Sequence, residues 1–360
     1  MSRFYKLAVA DIRPETRDTI SIAFEVAEEF RELFMNFRAG QHLALRARLE
    51  GEELVRTYSI CCTPQEQELR VAVKAQPYGR FSTYANTRLK VGDIVEVMPP
   101  AGHFSVPFDP AHRKHYLAFA AGSGITPIIA LIKTALQTEP DSRVTLVYGN
   151  RSTQSMIFRE QLEDLKNSYL GRFNLVPVMS REQTDIELFH GRIDQAKCRA
   201  LFERWVNINS VDECFICGPE EMMQEVTQAL AAHGVDRSRI HFELFTTPGE
   251  VKQRQAQRQR EAAGRDRAVS QITVRIDGQQ VDFELAQNEA SILEGGLAAG
   301  LELPFSCKGG VCSTCRAKVV VGEVEMDVNY ALEDYELEAG YVLTCQSYPL
   351  TERVVLDYDE

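Results

Sequence analysis

The chain opens without an export signal. "MSRFYKLAVADIR" has no apolar h-region and no small-residue cleavage site, so a cytoplasmic protein is expected. An unbroken apolar run of membrane-spanning length is also missing. The nearest candidate, His115 to Ile132, carries no Asp, Glu, Lys or Arg, but Gly-Ser-Gly and Thr-Pro break its middle. That suits a buried strand, turn and helix rather than a membrane helix, and no membrane partner is expected. No internal repeat of fixed period is present. Nine cysteines, an odd number in a chain without an export signal, leave no disulfide framework. Basic excess is lacking as well. From Val269 to Glu360, 5 Lys and Arg face 17 Asp and Glu, so this segment holds the whole net charge of −12. The first 268 residues balance at 35 of each sign. An acidic module of this kind argues against nucleic acid, whose phosphates need cations. The acidic face either keeps the module soluble or steers it toward a basic protein partner.

What is present is an ordinary globular composition, 44% hydrophobic and 26% charged, in 360 residues that allow two or three domains. The pattern changes along the chain. Residues 1–110 alternate in short runs such as "TISIAFEV", "HLALRARL" and "LRVAVKA", which predicts a small antiparallel β-barrel. Residues 111–246 alternate strand and helix, which predicts an α/β domain with a parallel sheet. Its helices are expected from about Pro127, Met156 and Pro219 and near 194–205. Residues 247–268 are polar, rich in Gln and Arg, and read as a linker. The last module, 269–360, opens on a hairpin with an Asp277-Gly278 turn and continues with a short helix, "SILEGGLAA".

Four cysteines, Cys61, Cys62, Cys198 and Cys214, lie in apolar surroundings and read as small hydrophobes. Cys307, Cys312, Cys315 and Cys345 follow C-x4-C-x2-C and then a solitary cysteine 29 residues on. This is the plant-type spacing for a [2Fe–2S] cluster, in which each iron takes two thiolates. A four-cysteine zinc site is the alternative, but zinc modules typically pair two C-x2-4-C knuckles, whereas here the last cysteine is solitary. Gly309 and Gly310 let the loop curl and offer N–H groups to sulfur. "LPFSCKGGVCSTCRAKVVVGEVE" and "EAGYVLTCQSYP" resemble the plant-type ferredoxins. The resemblance implies an α+β, β-grasp module with these four cysteines as cluster ligands.

In the middle domain, "AAGSGITP" follows an apolar strand and opens a helix. Glycines there let the backbone approach a phosphate, and the helix N-terminus supplies N–H donors. "CGPEEM" and "MSREQ" stand at two further strand ends. The second strand ends Tyr148-Gly149-Asn150-Arg151, without an acid for a ribose 2′-hydroxyl, while Ser180 and Arg181 suit a 2′-phosphate. NADP is therefore expected rather than NAD, with Arg181 as the phosphate contact and Arg151 as its alternative. In the barrel, "RTYS" places Arg56 and Tyr58 on one strand face and Thr57 and Ser59 on the other. "YGRFSTYA" offers a helix start as a pyrophosphate seat, which favours FAD over FMN.

Together "RTYSI", "GRFST", "GSGITP", "SREQ", "CGPEEM" and "FELF" resemble the ferredoxin–NADP reductase superfamily across residues 1–246. By that resemblance Arg56 binds the flavin pyrophosphate, Tyr58 stacks on the isoalloxazine with Thr57 beside it, and Ser59 lies near N5. Val73 and Lys74 line the flavin, and Gly79, Phe81, Ser82 and Thr83 hold its phosphates. Gly122, Gly124, Ile125, Thr126 and Pro127, with Gly218 and Pro219, shape the nucleotide crevice. Cys217 lies beside the nicotinamide, Glu243 nearby and Phe245 close to the ring. The family's aromatic lid often ends the chain, whereas here about 115 residues follow Phe245. The whole chain is similar to reductase subunits of bacterial multicomponent monooxygenases, from "FYKLAVADIRPETRDTISIAFEV" to "YGNRSTQSMIFREQL". This implies NADPH-dependent electron transfer through FAD and a [2Fe–2S] cluster to a di-iron oxygenase component. A stand-alone flavin reductase is the alternative of a different class.

Overall fold

A computed structural model describes residues 4–245, 268–287 and 289–360. The segment expected as a linker lies outside the described residues, apart from Ala268. Two compact units form, one chiefly of residues 5–245 and one chiefly of the residues after 268.

The first unit begins with β1 (Tyr5–Thr16), β2 (Thr19–Glu25), α1 (Arg31–Met35), β3 (His42–Leu49) and β4 (Glu52–Ser59). It continues with β5 (Leu69–Lys74), α2 (Arg80–Thr87) and β6 (Ile94–Val97). The sheet order is β4-β3-β6-β1-β2-β5. Its two edges meet where Ile60 bridges Val71 and the Cys61 amide donates to the Arg70 carbonyl at 2.9 Å. The antiparallel sheet thus closes on a core of Leu7, Val9, Ile22, Leu45, Val71 and Val97. Arg70 is buried in the wall, which its guanidinium tolerates because Asp11, Glu68 and Ser21 all accept from it.

Next come β7 (His115–Ala121), α3 (Ile125–Thr138), β8 (Arg143–Asn150), α4 (Arg159–Ser168) and β9 (Phe173–Met179). They are followed by α5 (Gln195–Arg204), β10 (Glu213–Gly218), α6 (Glu220–Ala232) and β11 (Ile240–Leu244). The five strands are parallel in the order β11-β10-β7-β8-β9. The order reverses between β7 and β10, so a ligand crevice opens at their carboxyl ends. Helix α3 is mostly apolar and is buried from Ile125 to Leu136. Ile128 and Leu131 share one core with Ala39, Cys61 and Phe104 of the barrel segment, and Lys133 pairs with Glu66 at 2.5 Å. The apolar stretch 115–132 is therefore strand, turn and helix. Among the described residues no helix is long and apolar enough to cross a membrane. Two helix starts differ from expectation. A 3-10 turn at Gly122–Gly124 leads straight into α3 at Ile125, leaving Pro127 in the first turn where its missing N–H is not needed. A second such turn, Thr153–Ser155, delays α4 to Arg159.

The second unit holds β12 (Val269–Ile276), β13 (Gln279–Ala286), α7 (Ile292–Ala298), β14 (Arg316–Val321) and β15 (Val324–Met326). After them come α8 (Asp334–Glu338), β16 (Tyr341–Leu343), β17 (Ser347–Pro349) and β18 (Arg353–Asp357). The main sheet runs β13-β12-β18-β14-β16 with β12 and β18 parallel. The β12–β13 hairpin turns through Asp277 at φ 51° and Gly278 at φ 71°, both left-handed as a two-residue type I′ turn requires. Helix α7, capped by the Ser291 hydroxyl, buries Ile292 and Leu293 against Ile272, Val274, Val354 and Leu356. One mixed sheet with a helix across it is the expected α+β grasp.

Candidate functional site

At the switch point two strand ends nearly touch. A Cβ on Gly124 would stand 2.0 Å from the Cys217 carbonyl oxygen and 3.0 Å from the Gly218 amide nitrogen, so only glycine permits the approach. Gly122 takes φ 53°, turning the chain off β7. Gly218 is tight against Ala121 and the Met222 methyl, and Pro219 caps α6. Ile125, Thr126 and Pro127 are buried in the first turn of α3 and fix the loop from beneath.

Beside this turn, β10 and β11 set Cys217 opposite Glu243. From the barrel, the Ser59 hydroxyl donates to Glu243 Oε2 at 3.0 Å, and His42 Nδ1 lies 3.9 Å from Oε1. Burial pushes the Glu243 carboxyl up to about 8, opposed by the Ser59 hydrogen bond. Burial, with His103 nearby, holds His42 down to about 4. Burial and then the Glu243 charge raise the Cys217 thiol well above its ordinary value, so it presents a neutral S–H and not a nucleophile. Cys198 and Cys214 are pushed up to about 12 by burial and behave as inert core residues. His42 has no motif around it, and its one sequence signal is a polar residue opening a strand whose next three residues, Leu43, Ala44 and Leu45, are apolar.

The remaining barrel positions separate. Tyr58 is half-buried with its ring 5.6 Å from that of buried Phe81. Arg56 Nη1 donates to the Val55 carbonyl at 2.6 Å, and Thr57 is half-buried between Arg56 and Tyr58 on β4. Val73 is in the barrel core, while Lys74 Nζ is 3.8 Å from Asp18. Gly79 caps α2, and the Ser82 hydroxyl accepts from the Gln76 amide and donates to the Gly79 carbonyl, both at 3.1 Å. Ser82 thus holds the turn together, leaving Thr83 as the exposed hydroxyl of that helix start. Phe245, just past β11, is 38% exposed.

At the outer strand ends the Arg181 amide donates to the Arg151 carbonyl at 2.9 Å, and Ser180 to Asn150 at 2.8 Å. Two exposed arginines therefore leave neighbouring strands side by side. The fold also brings Glu182 to this rim, unforeseen from the strand-end residues. Its carboxylate is occupied, accepting from the Thr153 amide at 2.7 Å and hydroxyl at 2.8 Å.

In the second unit the four distant cysteines meet. Cys345 lies close enough to act on the charge of Cys307, Cys307 and Cys315 act likewise on their neighbours Cys312 and Cys345, and the Cys307 amide donates to Cys312 Sγ. Among the described residues no group of three or more His, Cys, Asp or Glu is gathered as a single-ion site. Backbone N–H groups point at sulfur: Gly309 to Cys307 at 3.2 Å, Val311 to Cys307 at 3.4 Å and Cys307 to Cys312 at 3.5 Å. The loop turns left-handed at Lys308, Gly310 and Ser313. Of the two glycines Gly309 is the sulfur donor, while Gly310 turns the chain and its carbonyl accepts from the Tyr330 amide at 3.0 Å. Gln346 ties the Cys345 segment to the loop, donating to the Lys308 carbonyl at 2.8 Å. Buried or half-buried thiols with backbone N–H donors at Cys307 and Cys312 fit a thiolate-bound iron–sulfur cluster, whose negative charge such dipoles would stabilise.

Three family profiles match this layout: an oxidoreductase FAD-binding domain over residues 6–106, an oxidoreductase NAD-binding domain over 119–228, and a 2Fe-2S iron-sulfur cluster binding domain over 274–350. The chain is 47% identical over its whole length to a component of the 1,2-phenylacetyl-CoA epoxidase of Escherichia coli K12, covering 99% of that protein. It is 34% identical to the ferredoxin reductase component of 3-ketosteroid-9-alpha-monooxygenase from Rhodococcus rhodochrous, covering 99% of this chain and 97% of the relative. Among solved structures, phthalate dioxygenase reductase shares the fold with a TM-score of 0.58 at 22% identity, covering 98% of each chain. The switch-point crevice, the closed barrel and the four-thiol loop are thus the three parts of one NAD(P)-dependent flavin and iron–sulfur oxidoreductase, and the chain belongs to the ferredoxin–NADP reductase superfamily, in the family of the phenylacetyl-CoA epoxidase reductase components.

Proposed function

We propose that this protein takes electrons from NADPH and delivers them to the di-iron oxygenase component of a phenylacetyl-CoA epoxidase in phenylacetate breakdown. The observation that carries the reading is the presence in one chain of the Ser59–Glu243 contact at the switch point and a fold that gathers four cysteines, three buried and one half-buried. When bound, the flavin exchanges a hydride for single electrons and the cluster passes them on one at a time.

The chain's own residues orient these groups. Gly124 and Gly218 let the nicotinamide end of the nucleotide reach the carboxyl ends of β7 and β10, where Cys217 supplies a neutral, close-packed floor. Ser59 and Glu243 hold a mobile proton at the barrel edge. Tyr58 offers a ring face, braced by Phe81. Arg56, with the α2 start at Gly79 and Thr83, serves the flavin phosphates, and Thr57, Val73 and Lys74 border it. The paired Arg151 and Arg181, with Ser180, suit a 2′-phosphate, since guanidinium groups bind phosphate by charge-assisted hydrogen bonds. The cluster is assigned to Cys307, Cys312, Cys315 and Cys345. We place the domain limits at 1–110, 111–246 and 269–360, joined by 247–268. A cytoplasmic location follows, because free and cluster thiols belong to a reducing compartment.

An anaerobic titration followed by visible absorbance tests the reading. Flavin and then cluster bands should bleach at lower NADPH than NADH, and the reduced protein should reoxidise with substrate turnover when the di-iron component is added. Bleaching by NADH at equal concentration removes the NADPH assignment. Reoxidation by air alone, unaffected by the oxygenase, removes the partner.

A further inference from the structure

We propose that Tyr358 is a positioning residue for the iron–sulfur centre: acting through Thr344, it fixes Cys315 against Cys345 and sets how readily the cluster takes its electron. The inference rests on the cluster assignment made above. It begins with the register of the sheet. β14 lies between β16 and β18 and runs antiparallel to both, with Arg316 opposite Leu343 and Lys318 opposite Asp357. One step beyond the ends of these strands, Cys315, Thr344 and Tyr358 gather at one edge of the cluster segment. Thr344 is fully buried and stands next to Cys345. Its amide donates to the Cys315 carbonyl at 3.1 Å, and its hydroxyl donates to the same oxygen at 2.9 Å. Two segments 29 positions apart in sequence are thus pinned at a single carbonyl.

A threonine hydroxyl carries one proton. Thr344 donates its proton to the Cys315 carbonyl, so its oxygen is left to accept, and the Tyr358 hydroxyl donates to it at 2.8 Å. Tyrosine, threonine and carbonyl therefore form a chain of hydrogen bonds in one direction, each O–H with its positive end toward the Cys315 segment. Tyr358 is itself held in place. Its amide donates to the Arg275 carbonyl at 2.9 Å, and its ring packs on the core of the unit. The next residue, Asp359, accepts from the Asp277 and Gly278 amides at 2.7 and 2.9 Å. A phenylalanine ring would serve that packing equally well; the hydroxyl is what reaches Thr344. That hydroxyl is near enough for charge on Cys315 and Cys345 to act on it. Reduction adds one negative charge to a thiolate-bound cluster, and positive dipole ends turned toward it favour the reduced form. The same pin keeps the two cysteine segments at a fixed separation, which slows the escape of iron. Tyr358 gains and loses neither electron nor proton; the electron comes from the reduced flavin and ends on the cluster.

The test uses the full protein loaded with flavin and cluster. Tyr358→Phe keeps the ring and removes the hydroxyl. Its cluster reduction equilibrium, read by visible absorbance against redox dyes, should shift about threefold toward the oxidised form, the lower end of what one hydrogen bond contributes. That is a potential about 30 mV lower, at about 59 mV per tenfold for one electron. Iron release to a chelator should be about tenfold faster. The electron paramagnetic resonance spectrum of the dithionite-reduced protein should shift, while NADPH bleaches the flavin as in wild type. Thr344→Val should reproduce the lower potential, and Thr344→Ser, which keeps the hydroxyl, should hold the wild-type value. Y358F combined with T344V should do no more than T344V alone, because both residues act along one chain. A wild-type potential and spectrum in Y358F overturn the proposal, even with a lower melting temperature, since packing would then account for the residue. Additive shifts in the double variant overturn the route through Thr344. Iron and acid-labile sulfide in the wild-type protein keep the cluster reading standing in both cases; wild type without them overturns that reading and this proposal together.

Discussion

Gly124 offers a sharp test of the switch-point geometry. At φ −60° its backbone suits any residue, so Gly124→Ala adds a methyl group and no conformational strain. The methyl carbon would stand 2.0 Å from the Cys217 carbonyl oxygen and 2.5 Å from the carbonyl carbon. Contacts of Cβ below 3.0 Å essentially never occur, so the two strand ends must part by about 1 Å. Both colliding partners are backbone, and no side chain can swing away. Overpacking of this kind costs about 1–3 kcal/mol, and a misplacement of about 1 Å at a reaction centre costs about 100-fold in rate. Stopped-flow bleaching of the flavin by NADPH should therefore slow about 100-fold, and the melting temperature should fall by several degrees. Reduction of the cluster by dithionite should be unchanged. Gly218→Ala is the internal comparison: its methyl meets chiefly the end of the Met222 side chain, which can move, so the loss should be much smaller. A Gly124→Ala protein that bleaches at the wild-type rate would refute the claim that this close approach shapes the nicotinamide site.

Three other outcomes are expected. Arg181→Ala should weaken NADPH binding about 10- to 100-fold in equilibrium titration, with NADH within about twofold, because one charge-assisted phosphate contact is lost; equal losses would point to Arg151. Cys312→Ser should abolish electron delivery to the oxygenase while NADPH still bleaches the flavin, and loss of flavin bleaching in a folded variant would contradict the serial path. Glu243 gives a pH signature in flavin-free protein. Its carboxyl is raised to about 8, so the folded state holds a proton the unfolded chain has lost; the associated stability is full below the ordinary carboxyl value and fades as pH rises toward 8. Thermal melts of Glu243→Gln between about pH 5 and 9 should therefore fall less steeply than those of wild type, and parallel curves would place the proton elsewhere.

The three kinds of structure along the chain are legible because each imposes a different period. Alternation by two marks the barrel strands, strand–helix alternation marks the parallel sheet, and an Asp-Gly turn marks the last hairpin. The cluster loop is legible for a stricter reason. Ligand spacing is covalent, and Cys307, Cys312 and Cys315 cannot drift apart by more than a few residues of chain. Gly309 and Gly310 look alike as sulfur donors in the sequence, and only the folded loop shows that Gly310 turns the chain while Gly309 donates.

Sequence alone therefore determined what depends on neighbours along the chain: element types, the cysteine spacing and the glycine-bearing turn after β7. Tertiary structure decided what depends on residues that are distant in sequence. Ser59 and Glu243 are 184 residues apart and His42 belongs to a third strand, so no local pattern could pair them. The bonds from Thr153 to Glu182, 29 residues apart, belong to the same class, whereas the Ser82 hydroxyl is committed locally, to Gln76 and Gly79. Raised and lowered pKa values follow burial, and burial is a property of the packed whole, fixed only when barrel and parallel sheet close on one another around α3.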